Sequence, residues 1–158
     1  MPTEREFDVS AVTPDDLADL LPLMRAYCTF YESDPSDDDL SAMSGAFLEE
    51  GAGGTQLIAR DTSGAALGHA TMLWSWDTTL ARPLAVMEDL FVSAQARGRG
   101  VGAGLIDACR QLAADRGMQW LAWETAPDNE TAQRLYDGLG AKRDTWYAYR
   151  LSTDRPAT

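Results

Sequence analysis

The hexapeptide Arg97-Gly98-Arg99-Gly100-Val101-Gly102 carries the strongest chemical signal in the chain. It lies between an apolar, strand-like run and an amphipathic helical pattern. Glycines there let the backbone come close to a ligand and adopt conformations that other residues resist. The start of the following helix offers unpaired N–H groups and the positive end of the helix dipole. Together these features make a cradle for a pyrophosphate, to which Arg97 and Arg99 add positive charge. The spacing does not fit the G-x-G-x-x-G frame of a dinucleotide fold, and no Gly-Lys-Ser/Thr follows as in a nucleotide-triphosphate loop.

Acidic residues form the second set. Glu88 and Asp89 interrupt the otherwise apolar run from Leu84 to Val92, and Glu32 to Asp39 is strongly acidic. An amine is protonated at neutral pH, so carboxylates serve to hold it or to take its proton. With 13 basic against 25 acidic residues the net charge is −12, which repels nucleic acid and attracts cations. The two cysteines, Cys28 and Cys109, read as buried reduced thiols, and His69, the single histidine, as structural or exposed. No metal-ligand spacing is present, so no metal is expected. The segment MPTEREFDVS has no apolar core of a signal peptide, and no run is long enough to span a membrane. A cytoplasmic protein with no membrane and no nucleic-acid partner is expected.

The elements that must position these residues follow from pattern. A strand near Phe7 to Val12 leads to Thr13-Pro14-Asp15-Asp16, a helix start with cap, proline and acids in order. Leu17, Leu20, Leu21, Met24 and Cys28 then recur at helical spacing, with Pro22 expected to kink or divide the helix. A second helix is expected from about Asp38 to Glu50. Strands follow at Thr55 to Arg60, Ala66 to Trp76 and Leu84 to Val92. A helix carries Val101, Leu105, Ile106, Cys109, Leu112 and Ala113 on one face. A strand from Met118 to Glu124, a helix from Glu130 to Leu139 and a last strand from Trp146 to Leu151 complete the chain. The mixture favours an α/β or α+β sheet with helices on both faces. Trp74, Trp76, Trp123 and Trp146 read as core or interface residues, with Trp76 a possible wall of an acceptor site.

Arg97-x-x-Gly100-x-Gly102, after Met87-Glu88-Asp89-Leu90-Phe91-Val92, resembles the acetyl-CoA signature of the GNAT superfamily of N-acetyltransferases. Asn129 followed by Ala132, Leu135, Tyr136, Gly138 and Leu139-Gly140-Ala141 resembles that family's second signature. The likeness covers roughly residues 5–151, within a single N-acetyltransferase domain taken as 1–158. It implies a mostly antiparallel central sheet of about six to seven strands. Met87 to Val92, the ending Trp146-Tyr147-Ala148-Tyr149-Arg150-Leu151 and the pair Tyr31-Glu32 look most like the diamine (spermidine/thialysine) branch.

The resemblance also implies roles. Acetyl-CoA would be held by Arg97, Gly98, Arg99, Gly100, Val101, Gly102 and Ala103, mainly through backbone N–H groups. Its pantetheine arm would pair with the strand carrying Leu90, Phe91 and Val92, and Asn129 would assist. Tyr136 would be the general acid for the departing thiolate, where the family-free expectation is a core tyrosine. Glu88 would be the base, directly or through water. By alternation it shares a face with Leu90, while Asp89 points the other way. Tyr31, Glu32, Asp89 and Asp144 would line the acceptor site together with Glu88. The expected reaction is direct acetyl transfer to a small, cationic primary amine such as a polyamine or lysine analogue. Alternatives are a protein lysine or N-terminal acceptor, an amine-bearing antibiotic, and an acetyl-CoA-sensing module without turnover. Relatives are commonly homodimers, so a homodimer is expected.

Overall fold

The computed structural model describes residues 6–154. Contacts divide the chain into two compact units, residues 1–126 and 127–158.

The first unit opens with β1 (Phe7–Ala11) and a 3-10 turn at Pro14–Asp16. The Thr13 N–H and hydroxyl both donate to the Asp16 carboxylate, at 2.8 and 2.9 Å, and fix the chain's entry into α1 (Leu17–Phe30). Pro22 neither ends nor divides α1, contrary to the sequence expectation. It is exposed and deprives only the Ala18 carbonyl of a helical partner, one that water can replace. Ser36 caps α2 (Asp37–Phe47), its Oγ accepting from the Asp39 N–H at 3.1 Å. Between the helices, Arg25 donates to Asp34 at 3.0 Å, to the Pro35 carbonyl at 2.7 Å, and to Asp37. One guanidinium thus ties down the acidic loop.

β2 (Gly54–Asp61), β3 (Ala66–Asp77), β4 (Arg82–Val92) and the two-residue β5 (Leu121–Ala122) complete a five-stranded sheet in the order β1-β2-β3-β4-β5. The first four strands are antiparallel and β5 lies parallel to β4. α3 (Val101–Asp115) precedes β5. Register assigns the faces. Ile58, His69 and Phe91 are cross-strand partners, and Ile58 and Phe91 pack with Leu20, Leu23 and Met24 of α1. Gly68 is on the opposite face, where a Cβ would meet Leu105 of α3 at 3.3 Å. Helices therefore cover both faces. α3 turns Val101, Leu105, Cys109 and Ala113 inward at i, i+4 spacing. Cys109 is buried and Cys28 only partly so.

The second unit contains α4 (Glu130–Gly138), with Asn129 at its N-cap accepting from the Ala132 N–H at 3.2 Å. Residues 146–151 form no strand, and the described sheet has five strands rather than six to seven. Aromatic content favours strand, but a strand forms only where a neighbouring edge takes up its N–H and C=O groups. Among the described residues no ladder includes 146–151. β5 is shorter than the expected 118–124 for the same reason. Trp76 and Trp146 are 63% and 84% exposed, so neither is a core residue.

Candidate active site

The glycine-rich loop leaves β4 through a 3-10 turn at Ala94–Ala96, and Arg97 Nε donates back to the Val92 carbonyl at 3.3 Å. Gly98 and Gly100 have φ of +75° and +78°, where a side chain is strained, and open space lies where their Cβ atoms would be. The first helical bond of α3 runs from the Gly104 N–H to the Gly100 carbonyl, 2.9 Å. The N–H groups of Val101, Gly102 and Ala103 precede it, and no side chain caps them. Arg97 and Arg99 are exposed beside this helix start, Arg99 within 3.5 Å of Glu6. The donors, the bare backbone and the local positive charge fit a pyrophosphate such as that of acetyl-CoA.

β4 leads to this loop with one edge open. Leu90, Phe91 and Val92 pair with Ala70, His69 and Gly68 of β3. Along the other edge the ladder with β5 holds only Ala85 and Val86. Among the described residues no strand pairs that edge from Met87 onward. An extended ligand arm can bond such an edge through main-chain groups.

A β-bulge separates these two parts of β4. Thr71 pairs with Asp89 and Met72 with Met87, so Glu88 is an extra residue without a cross-strand partner. Alternation therefore fails at Glu88, and its expected place on the face of Leu90 does not hold. Glu88 and Asp89 both bear on the phenol of Tyr27. Glu88 is exposed; Asp89 is half-buried, and burial pushes its pKa up, opposed by hydrogen bonds from the Thr71 and Tyr27 hydroxyls. Tyr27 is itself pushed far up, first by burial and then by the Asp89 charge, so it stays protonated and donates.

The rings around this pair form a ladder. Phe30 and Tyr31 have centroids 5.0 Å apart, Tyr31 and Tyr27 also 5.0 Å, Tyr27 and His69 6.1 Å, and His69 and Phe91 6.2 Å. It runs from exposed Phe30 to His69, which is fully buried. Burial lowers the His69 pKa to about 4, so the ring is neutral at pH 7.

The structure thus gathers Tyr31, Glu88 and Asp89 of the expected acceptor site. Glu32 is exposed just past α1 with φ of +54°. In the second unit Asp144 is exposed, Asn129 caps α4 and Tyr136 is half-buried on that helix. The sequence analysis missed Tyr27, Thr71 and the depth of His69. Tyr27 had a visible signal: it lies four residues before Tyr31, on the same helical face. Among the described residues no three of His, Cys, Asp and Glu cluster as metal ligands, and no helix is long and apolar enough to cross a membrane.

Comparison with known proteins agrees with this geometry. The chain is 25% identical over 134 residues to the uncharacterized N-acetyltransferase YhfO of Bacillus subtilis strain 168, covering 85% of this chain and 89% of that protein. It is 25% identical over 153 residues to a thialysine N-epsilon-acetyltransferase of Caenorhabditis elegans, covering 93% and 92%. Among solved structures, the aminoglycoside N-acetyltransferase AAC(6')-Iy in complex with CoA superposes with a TM-score of 0.82 at 22% identity, covering 98% and 99%, a likeness of fold. The model of the acetyltransferase (GNAT) family matches residues 17–141. The open edge of β4, the bulge and the uncapped start of α3 are therefore the working parts of an acetyl-CoA-dependent N-acetyltransferase, and the chain belongs to the GNAT family.

Proposed function

We propose that the enzyme acetylates a primary amine of a small, cationic acceptor, such as a polyamine or a lysine analogue, by direct attack in a ternary complex. The observation that carries this is the bulge at Glu88, which sets two carboxylates on one phenol immediately before the open edge of β4. A net charge of −12 draws a cation to the protein. The thialysine relatives act on an acceptor of this kind by their names.

Acetyl-CoA supplies an acetyl group activated as a thioester. Backbone N–H groups from Gly98 to Ala103 would hold its pyrophosphate, and the edge at Leu90, Phe91 and Val92 its pantetheine arm, with Asn129 assisting. Glu88 takes the ammonium proton of the acceptor, directly or through a water, leaving a nucleophilic amine. An N–H of Leu90 or Phe91 stabilises negative charge on the carbonyl oxygen. Tyr136 gives its proton to the departing sulfur. The C–N bond forms as the C–S bond breaks, and no covalent enzyme species is needed. The two units act here as one acetyltransferase domain, and a homodimer is the proposed assembly.

Thiol release from acetyl-CoA with spermidine, lysine, an aminoglycoside, a histone-tail peptide and neutral amines tests the proposal. Turnover is expected with cationic small amines, weakened by salt as charges are screened. Glu88→Gln should depress kcat/KM most near neutral pH and less as free amine accumulates. Turnover confined to neutral or carboxylate-bearing acceptors, without a salt effect, would overturn the proposed acceptor class.

A further inference from the structure

Asp89 is a half-buried carboxylate that lacks a cation. Among the described residues no arginine or lysine forms an ion pair with it, and no basic group contributes to its pKa. The groups that bond it are two neutral hydroxyls, of Thr71 and Tyr27. Thr71 is aligned from behind. The buried Gln56 Nε2 donates to Thr71 Oγ1 at 3.1 Å, which turns the Thr71 hydrogen toward another acceptor. Tyr27 acts from α1, across from the strand pair. Neutral donors only partly offset the cost of removing a carboxylate from water, and a cation completes the compensation. The chain does not supply that cation here. Beside the carboxylate stand the Tyr27 and Tyr31 rings, with Phe30 continuing the series to the surface. Aromatic faces attract ammonium groups and pack against alkyl chains.

We infer that Tyr27 is a positioning residue that holds Asp89 to receive an alkylammonium group of the acceptor, with the Tyr27 and Tyr31 rings against its carbon chain. This rests on the proposed acetyl transfer to an amine, but it concerns binding and can fail separately. Glu88, the exposed extra residue of the bulge, keeps the proton-removing role, while Asp89 stays charged and selects the cation. Specificity against neutral amines then comes from the α1 face of the sheet.

The test uses the full chain saturated with CoA and 1,5-diaminopentane as probe, with calorimetric titration beside steady-state kinetics. Asp89→Asn should lose probe binding, while Asp89→Glu should restore part of it. Tyr27→Phe keeps the ring and removes the donor. It should raise the Kd and KM for the diamine about tenfold, as for loss of a hydrogen bond to a charged group, with kcat nearly unchanged. A mere packing role would not produce that split. The acid limb of kcat/KM should also move to higher pH in Tyr27→Phe, because one of two bonds holding the Asp89 pKa down is gone. The other titratable groups near Asp89 are Glu88, Tyr31 and neutral His69. CoA affinity should be unchanged in all variants. Probe binding unaltered in both Asp89→Asn and Tyr27→Phe overturns the inference even if the wild type turns over amines. Binding that depends on both residues in a protein without turnover supports the inference and overturns the proposed transfer. Should Tyr27→Phe fold poorly by its melting temperature, the Asn and Glu variants of Asp89 decide.

Discussion

A Cβ added to Gly104 of α3 would sit 2.5 Å from Cε2 of the Phe7 ring in β1. Phe7 is buried, so its ring has little room to withdraw. The first strand and the phosphate-binding helix therefore touch through a missing side chain. Gly104→Ala should destabilise the fold by about 1–3 kcal/mol, the usual cost of overpacking. Pairing it with Phe7→Leu should recover part of the loss. Urea denaturation of the single and double variants measures both, and independent additive effects would show that the contact is not tight.

Gly100 behaves differently, because open space lies at its Cβ position. Gly100→Val should fold, at some cost from φ of +78°, yet place a branched side chain on the side where the loop is bare. CoA affinity is expected to fall below detection by calorimetry. Normal CoA binding by the folded variant would remove the loop from the cofactor site.

Tyr136→Phe isolates a single hydroxyl on α4. Acetyl-CoA affinity should be nearly intact while kcat falls by about 10²-fold, the low end for general acid catalysis. An unchanged kcat under conditions where chemistry limits the rate would make Tyr136 a packing residue.

His69 predicts an acid sensitivity with a definite sign. Its folded pKa is lowered to about 4 from 6.5 by burial. Between these values the unfolded chain binds the proton and the folded one does not, so stability falls as pH drops from about 6.5 toward 4. From pH 7 to pH 5 this one group should cost roughly 2 kcal/mol. His69→Leu should flatten that part of the stability profile, measured by urea titration at the two pH values. An equal loss in wild type and variant would place the acid sensitivity elsewhere.

The hexapeptide from Arg97 to Gly102 was legible because its function lies in the backbone, and glycine spacing reports backbone directly. α1, α2, α3 and the first four strands were legible from periodicity, since each has one dominant buried face. The place of Glu88 was not, because a bulge leaves no mark in a period-two pattern; it shows only when β3 is laid beside β4. Residues 146–151 failed for the opposite reason. Their aromatic pattern fits a strand, but pairing is a property of a neighbour and not of the segment. Tyr27 was hidden in plain view as one more half-apolar residue on a helix, and its meaning comes from the Asp89 carboxyl that the sheet brings to it.

The bulge also bears on how such a site can arise. Pairing is kept on both sides of Glu88, with Asp89 opposite Thr71 and Met87 opposite Met72. Removing that one residue would leave an unbroken antiparallel ladder with Met87 and Ala85 still in register with their buried positions. The second carboxylate is thus an insertion that the core does not register. A plain sheet and one bearing this acidic pair are separated by a single codon, and the site could be gained or lost in descent without any repacking of the protein beneath it.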